Sequence, residues 1–262
     1  MSCHPLTLRI HQCSCSPAIF DPTSPAATLS PVGSTSVTSK RGRYRAGEQT
    51  RVQLIETAER LFALSGYEGV SISEIRIAAG QQNASVIAYY FGSKENLLHA
   101  IFAYRLPDIN ADRQAMMLRT SSQGANMTTR EALWAIVQPL ANSIGPDNHY
   151  VALLDRLMET EILGRVFTTA DPTVTTSGSA VNQSLNDSLV ELAEDVRLQR
   201  IQIVYTSYLR VLAGYDRRGT RPTHAELSAL IDGWEALLRA PVSQETLDAQ
   251  KDAQLNPTPS SH

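Results

Sequence analysis

The sequence predicts an all-α fold in which a short helix-turn-helix unit precedes a larger helical domain. Three observations carry that prediction. Ser71-Ile72-Ser73-Glu74 has the Ser-x-x-Glu spacing of a capping box, so a helix starts there; Ile72, Ile75 and Ala79 give it one apolar face, and Gly80 stops it. From Leu106 onward no other motif appears, yet apolar residues keep recurring at helical spacing. Two late segments, 196–216 and 224–239, carry unbroken apolar stripes.

Residues 1–39 are rich in Ser, Thr and Pro and almost uncharged. Such a composition buries too little apolar area to offset chain entropy, so a disordered leader is expected. All three cysteines lie in it, Cys3, Cys13 and Cys15, together with His4 and His11. They read either as a metal cluster or as part of an untidy leader, and a Cys-x-Cys pair without a second spaced pair is weak against zinc spacings. No metal and no cofactor is expected. Three cysteines bunched in a tail build no disulfide framework, and the leader has no apolar segment of signal-peptide type, which together point to the cytoplasm.

A domain over residues 40–105 is expected next. Lys40, Arg41, Arg43 and Arg45, interleaved with Gly42, Tyr44 and Gly47, form a basic run ahead of a first helix over 48–64. Leu54, Ala58, Leu61 and Phe62 are its inner face, Gly66 ends it and Tyr67 packs back. After Gly80, Asn83 is expected to cap a second helix with Ile87 and Phe91 pointing inward and Ala84, Ser85, Ala88 and Tyr89 left outside. A short helix with small and hydrogen-bonding residues exposed at its start fits the DNA major groove. The competing reading is a surface helical hairpin with a tyrosine cluster as its core. Charge favours the first: the chain carries −3 overall, but residues 40–105 hold nine Lys and Arg against six acids, and residues 106–262 hold thirteen against nineteen. A basic module beside an acidic remainder fits phosphate contact on one side only.

From Thr50 through Leu98 the chain resembles the DNA-binding domain of the TetR (tetracycline-repressor-like) family of bacterial transcription regulators. The resemblance rests on the Leu61-Phe62 helix end, Gly66-Tyr67, Ala78-Ala79-Gly80, Tyr89-Tyr90-Phe91-Gly92-Ser93-Lys94 and Leu97-Leu98. The stretch Gln81-Gln82-Asn83-Ala84-Ser85 fits a subgroup with a turn one residue longer than usual. The resemblance implies double-stranded DNA as partner, with Asn83, Ala84, Ser85 and Ala88 toward the bases and Tyr89, Tyr90 and Lys94 toward the backbone. Lys94 matches the family's phosphate-contacting lysine, although a solvated lysine draped on Tyr90 is the alternative. Ala88 stands where most members have a tyrosine. Arg43 and Arg45 match an arm for the minor groove or phosphates, against a merely solvated charge run. Thr50, Ser71 and Ser73 complete the candidate DNA-binding set. Arg76 replaces a small alanine, which implies looser packing there or an outward reach to phosphate.

A helical effector-binding and dimerisation domain is expected over 106–242, with helices near 108–119, 128–144, 148–163, 179–194, 196–216 and 224–239. Breaks are expected at Gly124-Ala125-Asn126, Gly145-Pro146-Asp147 and Asp216-Arg217-Arg218-Gly219, a kink at Pro139, a loop over 164–178, and a flexible tail over 243–262. The resemblance implies a cavity for a small apolar or aromatic effector, for which Phe102, Met116, Met117, Trp134, Tyr150, Leu154, Met158 and Phe167 are candidates, each equally readable as plain core. The stripes Ile201, Tyr205, Tyr208, Leu212 and Leu227, Ile231, Trp234, Leu238 suggest a four-helix bundle across the two-fold axis of a homodimer, against packing within one chain.

Catalysis is a rival class with little behind it. Glu-x-x-His pairs, His-Glu-x-x-His, a Walker loop and Gly-x-Ser-x-Gly are all missing. Asp155, Glu159 and Glu161 gather near His149 in sequence, but no partner set accompanies them, so they are expected to be a solvated face. No run of 18 apolar residues exists, so no membrane span is expected. The expected function is sequence-specific regulation of transcription, as a repressor released from a near-palindromic operator by its effector. An activator of the same fold and a helical protein without DNA affinity are the alternatives.

Overall fold

The computed structural model describes residues 37–121, 127–158, 160–169 and 172–255, and every regular element among them is a helix. The leader with its cysteines, the Gly124-Ala125-Asn126 break, Glu159 and the last residues of the tail lie outside that set. The chain divides at Gly42; of the first unit only the helical backbone of residues 37–42 is described, and the second unit carries all the other described residues.

The amino-terminal elements are α1 (Val37–Ser65), α2 (Ile72–Ala78) and α3 (Val86–Phe91). Helix α1 begins well before the expected position 48, because Gly42 and Gly47 lie within the helix instead of breaking it. Each costs about 1 kcal/mol relative to alanine, and Gly47 leaves room for Tyr90: a Cβ there would sit 3.5 Å from the Tyr90 hydroxyl. The basic run from Lys40 to Arg45 is therefore helical, not an extended arm. Leu54, Ile55, Ala58 and Phe62 of α1 close on Ile75, Ile87 and Phe91, all buried. Ile72 is the exception, exposed at the first position of α2.

Helix α4 (Lys94–Ser121) leaves this bundle and enters the rest of the molecule without a break. The boundary expected at Leu106-Pro107 is absent because Pro107 and Ala103, whose carbonyl the proline leaves unbonded, both lie on the exposed face, where water replaces the lost hydrogen bond. Helices α5 (Thr129–Ser143), α6 (Tyr150–Met158), α7 (Ile162–Thr169), α8 (Pro172–Asp187), α9 (Glu194–Arg217) and α10 (His224–Arg239) follow. The expected loop over 164–178 is instead the end of α7 and the first half of α8. Pro172 starts α8, where a missing N–H costs nothing, and Val181 and Leu185 bury its inner face, so packing overrides the poor helix propensity of its Thr, Ser and Gly residues. The expected flexible tail contains α11 (Gln244–Leu255), whose Gln250 donates to both oxygens of Asp195 at 2.8 and 2.7 Å. No described helix is long and apolar enough to cross a membrane.

The apolar stripes of α9 and α10 turn inward. Leu212, Leu227, Ile231 and Leu238 are almost wholly buried within the chain, and Tyr208 and Trp234 nearly so. Trp234 stacks edge-on to Tyr208, and its indole N–H donates to Ser207 Oγ at 2.9 Å. Ile201 and Tyr205 pack half-buried against the same core. This corrects the sequence expectation for all eight residues: the stripe is the chain's own core, since α9 must cover α6 as well as α10.

The expected carboxylate cluster resolves the same way. Asp155 is buried and paired with Arg210 at 3.0 Å and Arg217 at 3.1 Å. Asp216, also buried, accepts the Ala152 N–H at 2.7 Å. Burial pushes its carboxyl up to about 6, against a smaller opposing pull from that N–H and His149. The folded state thus holds a proton more tightly than the unfolded chain, so Asp216 lowers stability as pH rises from about 4 to about 6 and leaves the penalty in place above that. Asp216→Asn should gain about 1–2 kcal/mol at pH 7.5, with the gain vanishing near pH 4. Urea unfolding of both proteins at the two pH values tests this; a gain independent of pH would refute it.

Candidate nucleic-acid interface

Every turn that positions α3 has a local cause. The capping box of α2 forms as the sequence predicts: Ser71 Oγ accepts the Glu74 N–H at 3.2 Å and Ser71 N–H donates to Glu74 Oε2 at 2.7 Å. That backbone N–H, with the Ser71 hydroxyl behind it, holds the Glu74 carboxyl below its ordinary range. Gly80 takes the left-handed conformation, φ +67°, that ends α2. Arg76 does not loosen the packing or reach outward. Its Nη1 donates to the Gln81 carbonyl at 2.7 Å and clamps the turn that carries the chain into α3.

Asn83 acts one step outside the helix rather than as its cap. Its Oδ1 accepts the Ser85 N–H at 3.0 Å and its carbonyl accepts the Val86 N–H at 3.2 Å, an Asx turn that launches α3. Ser85 is the cap residue by position, yet its hydroxyl makes no capping hydrogen bond. Val86, Ile87 and Phe91 anchor the inner side of α3. Ala84, Ser85, Ala88 and Tyr89 lie exposed on the other, Tyr89 at 79%. Tyr89 meets Tyr90 edge-on at 4.9 Å, and Tyr90 is half-buried against α1 near Gly47. Ser71 and Ser73 are exposed at the start of α2, Arg45 is exposed on α1, and the Thr50 hydroxyl donates back to Ala46 O at 3.0 Å. The Arg43 side chain lies outside the described residues.

Gly92, φ +78°, turns the chain into α4, where Ser93 Oγ accepts the Asn96 N–H at 3.0 Å. Lys94 does not drape on Tyr90. Its Nζ stands 4.2 Å above the Tyr67 ring and 5.7 Å from that of Phe62, a cation–π contact that offsets the unfavourable dipole of the helix start.

Behind this unit a buried ion pair ties α1 to the remaining helices. Glu59 is fully buried and receives Arg105 at 2.7 and 3.0 Å and the His149 N–H at 2.7 Å. Arg105 is thereby held strongly basic, its carboxylate partner outweighing burial. His149 precedes Tyr150, which lines a cavity of about 540 Å³ enclosed by α4 to α9. Of the effector candidates, Tyr150, Leu154 and Met158 line it. Phe102 packs behind Tyr150, centroids 5.4 Å apart, and Trp134 stacks on His224 elsewhere; Met116 and Met117 pack against the core. The Phe167 side chain lies outside the described residues.

Sequence reasoning missed Arg113, Asn110 and Tyr205 in that wall. The available signal was an arginine in the apolar spacing Leu106, Ile109, Arg113. Its placement has a cause: Pro139 has no N–H for the Ala135 carbonyl, and Arg113 Nε donates to that carbonyl at 3.2 Å.

Residues 54–101 match the family described as bacterial regulatory proteins, tetR family. No match was found among curated protein sequences. Among solved structures, one assigned to TetR-family transcriptional regulation in Mesorhizobium loti MAFF303099 is 18% identical over 73% of this chain and 96% of its own, with a TM-score of 0.44. An alanine-substituted mutant of HlyIIR is 19% identical over 75% and 97%, TM-score 0.46. PfmR of Thermus thermophilus is 17% identical over 72% and 96%, TM-score 0.39.

Proposed function

Because the chain belongs to the TetR family of bacterial regulatory proteins through residues 54–101, we propose that it is a repressor, held as a homodimer on a near-palindromic operator and released by a small-molecule effector. The observation that carries this reading is the exposed set Ala84, Ser85, Ala88 and Tyr89 on a helix whose other side is anchored by Val86, Ile87 and Phe91. Such a helix presents small and polar side chains to base edges on a rigid support.

Ser85 is the base reader in this proposal, Asn83 sets its backbone, and Lys94, Arg45 and Tyr89 meet phosphates. Lys94 leaves its ring contact for a phosphate at little cost, because the ring and the phosphate lie on the exposed side of the same helix start. The dimer forms through the outer side of α10, where Leu230, Gly233 and Leu237 follow one another at helical spacing, and through Ile203 of neighbouring α9, which is 47% exposed. Effector binding acts through α4, which carries Lys94 at one end and the cavity residues Leu106, Asn110 and Arg113 further along. An effector that prefers one setting of α4 changes the spacing of the two reading helices.

Lys94→Ala should weaken binding to all duplexes alike and reduce the salt slope by about one unit. Ser85→Ala should relax preference at one position per half-site by about 1–3 kcal/mol and leave stability unchanged, since the hydroxyl caps nothing. Sequence selection from a random duplex pool, followed by titration at several salt concentrations, measures both. Retained sequence preference in Ser85→Ala removes Ser85 from the reading role.

A further inference from the structure

The effector cavity contains an unbalanced charge. Arg113 is buried, 7% exposed, in a wall otherwise made largely of apolar and neutral polar side chains. Its Nε donates to Ala135 O, and its Nη1 donates to Asn110 Oδ1 at 3.0 Å and Ser177 Oγ at 3.1 Å. These partners are neutral, and they hold the guanidinium in one orientation. Its Nη2 has no acceptor, and no carboxylate pairs with Arg113, among the described residues. Burial accordingly depresses its basicity.

The charged neighbours that could balance it are absent as well. Tyr150, Tyr205 and Tyr208 surround the arginine closely enough to feel its charge, but burial pushes all three hydroxyls further from ionisation. They remain donors. Tyr205 already donates to Asn182 Oδ1. Tyr150, fully buried and lining the cavity, has a hydroxyl with no hydrogen-bond partner. A buried cation without a counter-ion and a buried O–H without an acceptor are each costly, and here both face the same space.

We propose that the effector is a monocarboxylate with an apolar body, one carboxylate oxygen accepting from Arg113 Nη2 and the other from the Tyr150 hydroxyl. This rests on the reading of the cavity as the effector site. A cation would add to the uncompensated charge, and a neutral ligand would leave it. A phosphate ester, with three charged oxygens, outnumbers the donors that remain. Leu106, Ile136, Leu140, Leu154, Leu163 and Leu209 receive the apolar body, and about 540 Å³ is space for a body far larger than the carboxylate.

The experiment is calorimetric titration of the full chain with 4-phenylbutyrate and decanoate, each beside its primary amide. At least one acid should bind at least tenfold more tightly than its amide. Tyr150→Phe, which removes only an unbonded hydroxyl, should fold normally and lose part of that preference. Arg113→Met should lose it entirely. Amides binding as well as acids, or neither acid binding, overturns the assignment without touching the regulator reading. An acid that binds with this preference yet leaves the operator complex intact in a gel shift supports the assignment and sinks release by effector instead.

Discussion

Glu59→Ala should lower the thermal midpoint by roughly 10 °C. The substitution leaves Arg105, whose side chain is 14% exposed, without its carboxylate, and strips the His149 N–H of its acceptor. Breaking a buried pair from one side costs about 3–5 kcal/mol, which in a unit of this size corresponds to about 2–4 °C per kcal/mol. Glu59→Gln keeps an acceptor and should fall between. Arg105→Ala leaves the opposite orphan, a buried carboxylate, and should cost a comparable amount, while the double substitution should cost less than the two losses added together. The pair also links the DNA-facing bundle to the residue before Tyr150, so Glu59→Gln, which still folds, should weaken the effect of effector on DNA binding. Thermal scans of the four proteins decide the first point. A Glu59→Ala protein that melts within about 2 °C of the parent would mean that the pair is solvated in solution.

Gly233→Arg should abolish operator binding at concentrations where the parent binds fully. A Cβ on Gly233 meets nothing within 4 Å in the chain itself, and replacing a mid-helix glycine favours the helix by up to about 1 kcal/mol. The monomer should therefore fold at least as well as before. Across a two-fold axis the same position faces its own copy, so two arginines meet there. Sedimentation should show monomers. With one reading helix per particle, affinity should fall about a thousandfold, the scale that separates specific from non-specific binding. A charge at Trp234 would answer a different question, since that ring is core and its loss unfolds the chain. If Gly233→Arg remains a dimer with full affinity, the interface lies on another face.

Local chemistry by itself determined much of the amino-terminal unit. The Ser71–Glu74 capping box, the stop at Gly80, the inward Ile87 and Phe91 and the outward Ala84, Ser85, Ala88 and Tyr89 all follow from interactions spanning a few residues. Such interactions are written in the order of the side chains. The same reasoning fell short where a partner distant in sequence takes over. Gly47 reads as a breaker until Tyr90 packs against it, and the Thr- and Ser-rich start of α8 reads as a loop until its inner face is covered. The stripes of α9 and α10 state that two helices are apolar on one side, but not whether a second chain or the same chain covers them. Only the packing of α6 against α9 decides that they face inward. Arg113 shows the limit most clearly. An arginine at an apolar spacing is ambiguous in the sequence. It becomes a cavity group because Pro139, twenty-six residues away, leaves the Ala135 carbonyl without a donor and the folded chain brings the two together.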